Sequence, residues 1–148
     1  KAYLGYIPRA SFVLAGVIKA VDNNLGSGGG WHRDNAILRQ FKAIVYLSDV
    51  EKGTGPFQFV RGSHHVTARL RSMLRGVGLY STRFSDADIK KGFRESDMMT
   101  FVGKQGDLIL VDTKGVHRGM PIEKGARNAL TLYMWKSQVP SHLNQLLN

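Results

Sequence analysis

The sequence predicts a mainly β domain, a closed or sandwiched antiparallel fold with a few short helices. Three observations carry this expectation. Short segments rich in β-branched and aromatic residues recur along the chain, turns bearing glycine or proline separate them, and clear helical spacing is confined to one stretch after residue 65. With 148 residues, 43% hydrophobic and 22% charged, the chain suits a single domain, 1–148, with enough apolar surface for a real core.

Taken in order, residues 3–21 are β-branched, aromatic and small, and SFVLAGVIKAV within them has the apolar density of one or two buried strands. Asp22, Asn23 and Asn24 punctuate that run. FKAIVYLSD, 41–49, reads as a strand, EKGTGP, 51–56, as a turn, and FQFV, 57–60, as the sheet resumed. Val66, Leu70, Met73, Leu74 and Val77 then follow the spacing of one helical face, with Arg69, Arg71 and Arg75 between them. Ser85 and Asp88 form a weaker helix start, because the reciprocal cap prefers Glu or Gln at the third position. MMTFV, 98–102, and DLILVD, 107–112, are strands flanking the turn GKQG, and ARNALTLYMW, 126–135, is a long strand. The tail from Ser141 is expected to add a helical turn or two.

Composition excludes several classes. No apolar run is long enough to span a bilayer, and the N-terminus lacks the charged-then-apolar pattern of a secretion signal, so a cytoplasmic location is the default expectation. Without cysteine there is neither a disulfide framework nor a thiolate metal site, so any metal must be held by histidine and carboxylate. The net charge of +10 would suit an anionic partner, but the basic residues are dispersed and no nucleic-acid module is recognisable, which favours a basic solvated surface. The sequence carries no signal for oligomeric state.

The stretch GGGWHRDN, 28–35, holds the first chemical candidates. A phosphate-cradling loop needs Lys and Ser or Thr directly after its last glycine, and here Trp31 and His32 stand there. In an extended chain residues i and i+2 share a face, so His32 and Asp34 would present an imidazole and a carboxylate to one centre. Five histidines and eight aspartates supply roughly 0.3 such pairs by chance, so the pair needs a third partner. His117 is the candidate: it follows the apolar strand LILV in a glycine-flanked turn, where antiparallel topology returns the chain toward earlier strands. Two histidines and one carboxylate leave coordination positions open, as in non-haem Fe(II) oxygenases, although zinc can use the same ligands. Arg127 opens the last strand on one face with Ala129, Thr131, Tyr133 and Trp135. If that face points inward, the guanidinium requires an anion, and a carboxylate-bearing cosubstrate would supply it. Asn128, Leu130, Leu132 and Met134 form a competing inward face, and periodicity alone leaves both open.

WHRD, FKAIVYLSDVEKGTGPFQFVRGSH, GDLILVDTKGVHRG and RNALTLY together resemble the phytanoyl-CoA dioxygenase-like branch of the Fe(II)/2-oxoglutarate-dependent oxygenases, in order from about Gly28 to Tyr133. The resemblance implies a double-stranded β-helix, a cupin-like jelly roll, with iron on His32, Asp34 and His117. It also implies that Arg127 pairs with the far carboxylate of 2-oxoglutarate, and it places Tyr46 and Gln58 beside that cosubstrate. The implied reaction is hydroxylation of a small-molecule or acyl-type substrate with O2, as 2-oxoglutarate is decarboxylated to succinate. Asp34 separates the chain from related halogenases, which carry a small residue there. Tyr133 stands where nucleic-acid demethylases of the wider superfamily carry a second arginine, which argues against a nucleic-acid substrate. Relatives have a longer N-terminal region, so part of it is expected to be missing here. The competing class is a non-catalytic or differently metallated cupin-like binding barrel. His64 and His65 fall in a turn that is structural in the family, and His142 lies in the tail; none of the three is expected to be a ligand.

Overall fold

A computed structural model describes residues 3–135. The expected tail helix and His142 lie outside the described residues. The elements run β1 (Ala10–Lys19), β2 (Phe41–Tyr46), β3 (Phe57–Val60), α1 (Val66–Leu74), α2 (Asp86–Gly92), β4 (Met98–Phe101), β5 (Leu108–Asp112), β6 (His117–Gly119) and β7 (Ala126–Trp135). Two antiparallel sheets form, one in the order β1-β7-β2-β5 and the other β4-β3-β6. The fold is therefore the mainly β jelly roll that the sequence and the resemblance predict.

One core cluster lies between the sheets: Ile44 and Tyr46 of β2, Phe57 of β3 and Val111 of β5, with Val50, and with Phe101 of β4 and Ala129 of β7 against them. Each such side chain, fully buried, contributes about 1.5–3 kcal/mol. A second cluster joins Trp31, Val60 and Val116 to Val77, Phe84, Ile89 and Phe93, and so fastens the 66–97 excursion to the smaller sheet. The start of α2 is fixed by a complete reciprocal cap. Ser85 Oγ accepts from the Asp88 backbone at 3.1 Å and the Asp88 carboxylate accepts from the Ser85 backbone at 2.9 Å, so Asp does serve at the third position.

Two burial expectations are overturned. The first strand is single, and it is not buried: Val13 and Val17 are 54% and 63% exposed. As an edge strand, β1 has β7 as its one sheet neighbour, and its outer face has no layer upon it among the described residues. In α1 the apolar positions Val66, Leu70, Met73 and Leu74 face solvent, while Arg69 and Ser72 face in. The Arg69 guanidinium reaches the Leu79 carbonyl at 3.0 Å and the Ser72 hydroxyl bonds the Arg69 carbonyl at 2.8 Å, so these polar groups are satisfied when buried. Of the predicted helical face, only Val77 joins the core.

Candidate metal centre

Backbone pairing brings the two histidines together across 85 positions of sequence. The His32 N–H donates to the His117 carbonyl at 2.8 Å and the His117 N–H to the His32 carbonyl at 2.7 Å. Paired residues of an antiparallel ladder present their side chains on one face, and the imidazole centroids are 4.3 Å apart. His117 thus begins the short strand β6 rather than sitting in the expected turn. Each Nδ1 lies 2.9 Å from a backbone carbonyl two residues earlier, Gly30 for His32 and Gly115 for His117. A carbonyl can only accept, so both Nδ1 atoms carry the proton and both Nε2 lone pairs are free to bind a metal.

Asp34 completes the cluster. Its N–H donates to the Thr113 carbonyl at 2.9 Å, which pins the main chain beside the end of β5. Oδ1 lies 3.7 Å from His32 Nε2 and 3.9 Å from His117 Nε2, and the three donor atoms fall within 4.8 Å of one another. Two neutral imidazoles and one carboxylate, oriented by backbone acceptors, fit a divalent ion of the oxygenase type and would also accept zinc. Among the described residues this is the single group of three or more His, Cys, Asp or Glu that converges so.

The cluster opens into a cavity of about 340 Å³ between the sheets, whose walls include Tyr46, Phe57, Arg127, Thr131 and Tyr133. The inward face of β7 is therefore Arg127, Ala129, Thr131 and Tyr133. Arg127 is 7% exposed; one terminal nitrogen donates to the Gly55 carbonyl, Nε has no partner, and among the described residues no carboxylate pairs with it. Its guanidinium lies over Gly119, where an added Cβ would come within 2.9 and 3.0 Å of the terminal nitrogens. Gly119 follows His117 by two residues on one face, which at ~3.4 Å per residue places it about 7 Å along the strand from His117.

The six predicted residues do not all converge. His32, Asp34, Tyr46, His117 and Arg127 line the cavity, but Gln58 does not. Its amide bonds Thr100 Oγ1 at 2.8 Å and Arg118 Nε at 2.9 Å on the other face of β3, because alternation gives the inward place to Phe57. Tyr46 is buried, with its hydroxyl accepting from the Phe57 N–H and donating to the Phe101 carbonyl, so it also ties β2 to the facing sheet. Other cavity residues were not named from the sequence. Lys42 shares the inward face of β2 with Ile44 and Tyr46, a placement that period-2 alternation makes readable once Tyr46 is placed inward. Ser27 and Gly28 line the cavity beside His32, and at Gly28 the glycine run does what its composition suggests, allowing a positive φ and close approach of the backbone to the His32 ring.

Burial lowers the pKa of both His32 and His117, and each is disfavoured further by neighbouring positive charge. For Asp34, burial opposes ionisation, yet the Lys42 ammonium holds the carboxyl below its ordinary value. The site is thus deprotonated and ready for metal at neutral pH. The metal-free protein should lose stability as pH falls from 7 to 5. In that window the unfolded chain gains protons at histidines with ordinary values near 6.5, while the folded site does not, so acidification favours unfolding. Melting temperature measured at pH 7.5, 6 and 5 checks this; a melting point that rose on acidification would contradict it.

Two opposed sheets around a two-histidine, one-carboxylate cluster define a jelly-roll protein with a candidate metal site of the facial-triad type. The chain belongs to the phytanoyl-CoA dioxygenase (PhyH) family, which it matches over residues 15–127. Among solved structures it is similar to EvdO2 from Micromonospora carbonacea var. aurantiaca complexed with 2-oxoglutarate, at 14% identity and TM-score 0.57 over 95% of this chain and 58% of that one. It is also similar to SnoK, a non-heme alpha ketoglutarate dependent carbocyclase from nogalamycin biosynthesis (19%, TM-score 0.55, 93% of this chain and 55% of that one). A third is AviO1 from Streptomyces viridochromogenes Tue57 (20%, TM-score 0.54, 90% and 53%). These likenesses establish the fold, and the chain spans a little over half of each of these three structures. Comparison with curated protein sequences gives no significant match. No helix among the described residues is long and apolar enough to cross a membrane.

Proposed function

We propose that the chain is the core of an Fe(II)/2-oxoglutarate-dependent oxygenase acting on a small-molecule or acyl-type substrate with O2. The observation that carries this reading is the buried guanidinium of Arg127, which has no carboxylate partner among the described residues and shares one cavity with the His32–Asp34–His117 cluster. A buried cation without an anion is costly, and a dicarboxylate with a 2-oxo group offers a carboxylate to the guanidinium and a chelating end to the cluster. When bound, iron would supply the redox chemistry that couples decarboxylation of 2-oxoglutarate to oxidation of a substrate C–H bond.

The protein residues do the rest by placement. His32 and His117 offer Nε2 because the Gly30 and Gly115 carbonyls hold their Nδ1 protons, and Arg127 orients the distal carboxylate through charge-assisted hydrogen bonds. The rings of Phe57, Tyr46 and Tyr133 narrow the cavity and limit water there. Asp34 favours oxygenation over halogenation, since it fills the position a halide would need. The test is anaerobic loading with Fe(II) and 2-oxoglutarate followed by admission of oxygen. Succinate should form, slowly even without substrate; metal binding with no affinity for 2-oxoglutarate would instead support a binding barrel.

A further inference from the structure

Lys42 has no place in the reading above, yet it is 9% exposed and stands against a proposed metal ligand. Its Nζ lies 2.6 Å from Asp34 Oδ2, a close ion pair, while Oδ1 faces both imidazole Nε2 atoms. The two carboxylate oxygens are thus divided between an ammonium and the proposed metal position. The division is built into the sheet. Lys42 pairs with Tyr133 across β2 and β7, its ammonium sits 4.6 Å from the centroid of the Tyr133 ring, and Thr113 anchors the Asp34 backbone from the other side. Asp34 is the one carboxylate in salt-bridge reach of Lys42 among the described residues. A buried ammonium is expensive unless paired, so neither partner is free to turn away.

We propose that Lys42 is a positioning residue that ties off Asp34 Oδ2, restricting this carboxylate to single-oxygen ligation and keeping the other coordination positions open for a chelating 2-oxo acid. A buried cation suits the task because it satisfies Oδ2, whereas a carboxylate released from it could close on the metal through both oxygens. The inference rests on the reading of His32, Asp34 and His117 as a metal site.

The experiment loads the protein with Mn(II), counts exchangeable metal-bound waters by water-proton relaxation, and titrates 2-oxoglutarate. Wild type should show the three open positions of a facial triad. Lys42→Met should show two, a drop of about a third in the bound-water contribution, because Oδ2 then takes a position. Its 2-oxoglutarate dissociation constant should rise about tenfold, the lower end of effects seen for residues that orient ligands. Lys42→Gln, uncharged and one bond too short to reach Oδ2, should behave alike and serves if the Met variant folds poorly. Lys42→Arg keeps the charge and should restore both readouts. Unchanged water count and 2-oxoglutarate affinity in the neutral variants would overturn the inference while leaving the site intact. A wild-type protein that binds no Mn(II) would overturn the metal site itself, and the inference with it.

Discussion

Arg127→Ala is expected to weaken 2-oxoglutarate binding by about a hundredfold or more while leaving divalent-metal affinity within about threefold. The magnitude follows from what the guanidinium lacks. It is buried, uses one nitrogen on the Gly55 carbonyl, and has no carboxylate beside it among the described residues, so a bound anion would supply charge-assisted hydrogen bonds each worth about 1.5–3 kcal/mol. Burial lowers the pKa of the group, the nearby Tyr46 opposes that, and an arginine still carries its charge at neutral pH. Metal binding should be spared because no ligand atom depends on Arg127. Arg127→Lys should rescue poorly, since a single ammonium cannot reproduce a two-pronged contact. Calorimetric titration of metal first and 2-oxoglutarate second separates the two affinities. A parallel loss of both would mean that Arg127 holds the barrel together rather than a ligand.

How much of this could be read from residues alone differs by element. Strands β2 and β5 were legible because each is a short apolar run bounded by turn residues, and they pair in register from Phe41 against Asp112 to Val45 against Leu108. The facing of β7 was not legible, because both alternate sets are apolar enough to point inward. What decides it is position: β7 lies between β1 and β2, and the set containing Arg127 and Tyr133 faces the cavity. The helix α1 misled for a related reason. Its apolar stripe predicted a buried face, but two polar groups that find backbone acceptors, Arg69 and Ser72, took the inside. Gln58 followed the same logic in reverse, since its neighbour Phe57 fills the space beside His117 with ring centroids 5.5 Å apart. The place of His117 after the LILV strand, where antiparallel topology returns the chain, nominates it as the partner of His32, and family resemblance strengthens that choice, since no local pattern encodes a contact between residues so distant in sequence.

Gly28→Ala should cost about a hundredfold in metal affinity, nearly as much as removing a ligand, although Gly28 itself offers no ligand atom. A Cβ built on Gly28 would stand 2.1 Å from His32 Cε1 and 2.9 Å from both ring nitrogens, so the imidazole has to leave its position. Backbone preference adds to the effect, since Gly28 has φ +86°, a region that costs an L-residue roughly 1–2 kcal/mol. The neighbouring glycine separates the two causes. Gly29 also has a positive φ, +68°, but its added Cβ would meet nothing closer than an Arg83 nitrogen at 3.6 Å. Gly29→Ala should therefore lower the melting temperature by a few degrees and leave metal affinity nearly unchanged. Gly28→Ala should do both, because the same glycine run that bends beside the cavity rests on the His32 ring. If the two variants lose metal affinity equally, the glycines serve the bend alone and the contact with His32 carries no weight in holding the ligand.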